Sequence, residues 1–120
     1  MHPPGRFQRT IALLFLALCL GAAAAGLDFA PLHEQLIARF GPARIGLLKD
    51  WQSLLDTARG VSESDKLKRV NDFFNRNIAF DEDITIWGQS DYWATPLETV
   101  GKGRGDCEDF SIVKYYTLRQ

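Results

Sequence analysis

Cysteine and histidine are scarce in this chain, two of each among 120 residues. Cys19 lies in an N-terminal leader, so the body of the chain keeps Cys107 alone and can form no internal disulfide. His2 lies in the leader as well. The remaining histidine, His33, stands among polar neighbours and reads as a solvated surface residue rather than a ligand. Basic patches with interleaved aromatics are also missing, which argues against nucleic acid. Beyond the leader no apolar run is long enough to span a membrane. There is no internal repeat, no low-complexity tract and no sign of a second domain.

The leader itself has three parts. Arg6 and Arg9 make a basic n-region, Ile11 to Leu20 an apolar core, and Ala23-Ala24-Ala25 an A-x-A cleavage site. Residues 1–25 are therefore expected to be a secretory signal peptide, and the apolar run is short for a membrane anchor. Cys19, preceded by Leu18 within that run, is badly placed for lipid attachment and is expected to leave with the signal. Twelve basic residues against fifteen acidic ones then give the exported part a net charge of −3. An unpaired thiol in an exported protein is either a chemical group or a liability.

After a short linker, Pro31 to Phe40 reads as a brief helix ended by Gly41-Pro42. Ile45, Leu48, Trp51, Leu55 and Ala58 recur at helical spacing, with Gly60 as the stop. Ser62 is the N-cap of a third helix with Asp65 at its third position; Leu67, Val70, Phe73 and Phe74 form the apolar face. Asn71 and Asn75, poor helix formers one turn apart, suit bonds to nearby backbone or a plain solvated face. Ile78 to Ile86 reads as extended, and its acids Asp81, Glu82 and Asp83 lack the glycine and ligand spacing of an EF-hand, so they read as a solvated loop. The aromatic, turn-rich stretch from Trp87 to Glu98 has no period and suits a cleft wall or a cover over the core edge.

The chemistry concentrates in Gly103-Arg104-Gly105-Asp106-Cys107-Glu108-Asp109-Phe110. Asp106 is the expected N-cap of a final buried helix, with Asp109 as capping-box partner. Cys107 then falls in the first turn, where free backbone N–H groups and the macrodipole favour negative charge and so a nucleophilic thiolate. The plain alternative is ordinary capping around an inert, packed thiol. Three carboxylates within four residues repel one another and oppose a thiolate, a conflict that a bound cation would relieve. Hard oxygen donors of this kind suit calcium better than zinc or copper. Asp106, Glu108 and Asp109 are accordingly the candidate metal ligands, and Cys107 the candidate nucleophile.

Together with Lys66-Leu67, Val70-Asn71, Phe74-Asn75 and Asp91-Tyr92-Trp93-Ala94-Thr95-Pro96, this segment resembles the bacterial transglutaminase-like cysteine proteinases from Trp51 onward. The resemblance implies an α+β, papain-like (transglutaminase-like) cysteine proteinase core, of which residues 26–120 are expected to be the incomplete, mainly helical N-terminal part. It implies a Cys107 that attacks a peptide carbonyl, with a histidine and then an aspartate as partners beyond Gln120, and calcium at Asp106 and Glu108. It further implies a periplasmic location, a large surface adhesin as the substrate cut near its N-terminus, and an inner-membrane receptor that senses cyclic di-GMP. His33 precedes the cysteine in another helical context and is a poor substitute base, so the 120 residues alone are expected to be inactive. Two other readings stand beside this one. The first is transglutaminase-type acyl transfer on the same fold; the second is a non-catalytic remnant that binds calcium or the receptor.

Overall fold

Asp28 starts the first element: its side chain accepts the Ala30 N–H at 3.0 Å and caps helix α1 (Phe29–Phe40) two residues before the expected start. The computed structural model describes residues 27–120, and the expected signal peptide lies outside the described residues. Gly41, at φ 74°, ends α1 and leads into a 3₁₀ turn at Pro42–Arg44, the predicted Gly-Pro break. Helix α2 (Ile45–Ala58) buries Leu48, Trp51, Leu55 and Ala58, the stripe that the spacing predicts. Helix α3 (Glu63–Asn77) opens as expected, with the Ser62 hydroxyl accepting the Asp65 N–H at 3.2 Å.

Two expectations fail in this region. Leu67 is 54% exposed; α3 buries Val70 and Phe74, and Leu67 sits beyond the edge of that contact. The segment from Ile78 to Ile86 is extended only at β1 (Ala79–Phe80), then turns into the short helix α4 (Asp83–Trp87). Five residues hold too little periodicity to announce a helix. Here the Glu82 carbonyl accepts N–H bonds from Thr85 and Ile86, and Gly88 ends the turn at φ 69°. Helix α5 (Pro96–Lys102) follows. Then come β2 (Arg104–Gly105) and helix α6 (Cys107–Leu118).

β1 and β2 pair in parallel, Ala79 with Arg104 and Phe80 with Gly105. This short pair folds the Asp81–Asp83 segment back onto the start of α6, and it is the only sheet among the described residues. The content is mainly helical, compatible with the helical half of an α+β fold. No helix among the described residues is long and apolar enough to cross a membrane.

Trp51 is the centre of the core. Its ring meets Phe29 at 5.5 Å and Phe74 at 6.3 Å, both edge-on, and Tyr116 at 6.3 Å. Leu36, Leu48, Val70, Val100 and Val113 close around it. The indole N–H donates to the Thr117 hydroxyl at 3.0 Å, which itself donates to the Val113 carbonyl at 2.7 Å. Helix α6 is therefore held by a buried polar bond as well as by apolar contact. Only one side of α6 is buried, through Asp109, Val113 and Thr117, whereas Cys107, Glu108, Ser111 and Tyr115 are exposed. Asn71 and Asn75 bond neither to backbone nor only to water: both side-chain carbonyls accept from Lys114 Nζ, at 2.8 and 2.7 Å, and tie α3 to α6.

Thr117→Val keeps the shape but strands the buried indole N–H, so it should cost about 1–3 kcal/mol. Urea unfolding followed by tryptophan fluorescence measures the loss; an unchanged midpoint would show that the bond contributes nothing.

Candidate active site

β2 delivers the chain to α6 in extended conformation, and Asp106 turns it (φ −97°, ψ −166°). The expected capping box is present in both directions. Asp106 Oδ1 accepts the Asp109 N–H at 3.3 Å, and Asp109 Oδ2 accepts the Asp106 N–H at 3.2 Å. Cys107 is the first residue of the helix, the first-turn position that the sequence predicts, and the structure leaves its side chain exposed. Its carbonyl accepts the Ser111 hydroxyl at 2.8 Å.

Asp109 is fully buried, and its other oxygen, Oδ1, accepts the Ala94 N–H at 2.9 Å. Such close seating requires a glycine at 105, because a Cβ there would come within 2.8 Å of the Asp109 Cβ. The glycine of the Gly-Asp-Cys-Glu-Asp run thus makes room for the buried carboxylate. Burial pushes the Asp109 carboxyl pKa up; the N–H groups of Ala94 and Asp106 work against this, while the charges of Asp106 and Asp83 add to it.

Asp83 is only 5% exposed, a correction to the solvated loop expected of Asp81–Asp83. The parallel strand pair brings it against α6. One oxygen accepts the Tyr92 N–H at 2.6 Å, and the other, Oδ1, is buried without a partner. Asp81 instead pairs with Arg104 at 3.0 Å, and Glu82 is exposed. Asp83, Asp106 and Asp109 each offer a carboxylate oxygen, all within 4.8 Å of one another. Glu108 is not among them; it is exposed beside Cys107. The donor set fits a hard cation, because three crowded carboxylates and one orphaned buried oxygen lack a compensating charge. Nothing in these donors singles out calcium from other oxygen-loving ions.

Glu98 is a fourth acid, as buried as Asp83 but fully supplied. It accepts from Arg39 Nη2 at 2.7 Å and the Tyr92 hydroxyl at 2.8 Å, and from the Thr95 N–H and hydroxyl at 2.8 and 3.1 Å. Burial works to raise its pKa. The Thr95 N–H, the Arg39 guanidinium and the two hydroxyls overcome it and bring the value to about 2. The bond to Glu98 in turn raises the Tyr92 pKa. This cluster went unpredicted, although Thr95-Pro96-Leu97-Glu98 is a readable capping box with proline at the first helical position.

Trp93, Cys107, Glu108, Ser111 and Ile112 line an open cleft of about 330 Å³. The aperiodic stretch from Trp87 to Glu98 therefore forms a cleft wall at Trp93 and core cover at Ala94 and, inside α5, at Leu97. His33 is half-buried on α1 and lines no part of this cleft.

Because the folded Glu98 titrates below its ordinary value of 4.5, its contribution is complete above that pH and disappears as pH falls towards about 2. Acid unfolding should show this as a loss of about 2–3 kcal/mol through that window. Glu98→Gln should be less stable at neutral pH and should lack this part of the acid transition. An acid profile identical to that of the unmutated protein would refute the assignment.

No curated protein matches the chain. The family model for bacterial transglutaminase-like cysteine proteinases matches residues 51–120, from the core tryptophan through the entire Cys107 helix. With that match spanning more than half of its length, the chain belongs to the bacterial transglutaminase-like cysteine proteinase family.

Proposed function

We propose that Cys107 is the nucleophile of a periplasmic, calcium-dependent cysteine endopeptidase that clips a large surface adhesin near its N-terminus. The clipped adhesin leaves the cell surface, so the activity acts in biofilm release. An inner-membrane receptor that senses cyclic di-GMP holds the enzyme in check. One observation carries this reading: an exposed thiol opens a helix at the edge of an open cleft, and its neighbour Asp106 belongs to a largely buried carboxylate cluster. Family membership supports cysteine peptidase chemistry, and the signal-like leader supports export.

In this mechanism the Cys107 sulfur attacks the scissile carbonyl carbon, and the thiol proton passes to a general base. The C–N bond breaks, the amine takes up that proton, and water later hydrolyses the thioester. Family resemblance assigns the base to a histidine and its orientation to an aspartate, in a papain-like core. The first-turn N–H groups of α6 favour negative charge at the nucleophile's position. Asp83, Asp106 and Asp109 would hold the cation, which supplies positive charge to offset the crowded carboxylates. Asp109, by bonding the N–H groups of both Asp106 and Ala94, keeps the helix start and the Trp93 loop in register.

The protein, in the full length in which the cell makes it, should hydrolyse an adhesin N-terminal peptide. Cys107→Ser should lower the rate by roughly 10³-fold or more. Chelation should abolish cleavage and added calcium restore it. Transfer of the acyl group to an added amine in place of hydrolysis would favour the transglutaminase reading. Calcium or receptor binding without either reaction would favour the non-catalytic one.

Calcium should also raise the melting temperature, and Asp83→Asn should remove most of that rise. A rise untouched by Asp83→Asn would place the cation elsewhere.

A further inference from the structure

Trp93 is 68% exposed, the most exposed tryptophan of the described residues, yet its backbone is held on both sides. The N–H of Tyr92 donates to Asp83 at 2.6 Å, and the N–H of Ala94 donates to Asp109 at 2.9 Å. Both acceptors are buried carboxylates of the cluster beneath Cys107. An indole left in water by a loose loop would have no fixed direction. This one is presented by a loop anchored to the helix that carries the nucleophile. A large apolar surface kept exposed at such a site is suited to binding.

Its neighbours define what it meets. Trp93 and Ile112 contribute apolar surface to the cleft that contains Cys107, and the Ser111 hydroxyl is turned away to the Cys107 carbonyl. Glu108 is the charged residue lining it. A carbonyl that meets the thiol within this open cleft brings its flanking side chains against these residues.

We propose that Trp93 is a specificity-determining residue, and that with Ile112 it seats an apolar side chain of the peptide next to the attacked carbonyl. Glu108 excludes acidic side chains from the same place by like-charge repulsion. The proposal rests on Cys107 being the nucleophile of a peptide-cutting site, and adds which peptides the site accepts.

The test reads binding next to the thiol without requiring turnover. The full chain is alkylated with iodoacetamide, with its N-benzyl derivative and with an N-carboxymethyl derivative. Modification of Cys107 is followed by mass spectrometry of the peptide that contains it. Rates are expressed as ratios to plain iodoacetamide, so each variant is its own reference, and N-acetylcysteine gives the ratios of a thiol without a cleft. The benzyl ratio at Cys107 should exceed that of N-acetylcysteine by about fivefold or more, as an aromatic ring gains on an indole face. Trp93→Ala should bring it down to the free-thiol value, and Trp93→Phe should keep most of it. The carboxymethyl ratio should lie below the free-thiol value and recover in Glu108→Gln. Circular dichroism confirms that each variant is folded. A benzyl ratio equal to that of N-acetylcysteine, or one that survives Trp93→Ala, overturns the proposal. If the ratios behave as stated but the full-length protein cuts no peptide, the peptidase reading fails and the apolar subsite stands.

Discussion

One buried carboxylate holds the site together. Asp109 bonds the backbone N–H that starts its own helix and the N–H of Ala94, fifteen residues earlier in the chain. It fixes one side of the Trp93 loop to the helix that carries Cys107, while Asp83 holds the other side through the Tyr92 N–H. The arrangement requires Gly105, since any side chain there would collide with Asp109. It also requires the parallel pairing of β1 with β2, which sets Gly105 where Asp83 can join from the other side. A helix cap, a glycine and a two-residue strand pair are thus parts of one device.

The two groups of buried acid differ in how their charge is met. Glu98 receives a guanidinium, a phenol, a hydroxyl and a backbone N–H, and burial fails to neutralise it. Asp83 and Asp109 receive single N–H bonds on most of their oxygens, no cationic side chain is bonded to either, and one oxygen of Asp83 has nothing. Where burial is fully compensated, the result is a structural clamp between α1 and α5. Where it is not, the site is suited to a mobile positive charge, and the uncompensated carboxylates lie beside the start of the helix that carries Cys107. That contrast separates an acid whose charge is met within the protein from a cluster that could hold a metal ion.

Much of the fold was legible because helical patterns and caps are local. The Trp51 stripe, the Ser62 cap and the box between Asp106 and Asp109 each depend on residues within a few turns, and each appears where spacing places it. The first-turn position of Cys107 follows from the same local rule, whereas its exposure is set by packing. Leu67 was misread because periodicity marks a face without saying how far the neighbouring element reaches. Helix α4 was missed because five residues carry no period, and the Thr95–Glu98 box because an aperiodic aromatic stretch obscured it.

The sequence by itself determined where α3 and α6 begin, which residue carries the thiol and that acids crowd around it; the two helix starts follow from backbone hydrogen bonding within a turn. Only the tertiary structure decided which acids meet. It brought Asp83 in from over twenty residues away, left Glu108 in solvent, and turned Trp93 toward the cleft. The reason is that burial and carboxylate proximity depend on the packing of β1 against β2 and of α6 against α3 and α5. No window of neighbouring residues contains that information.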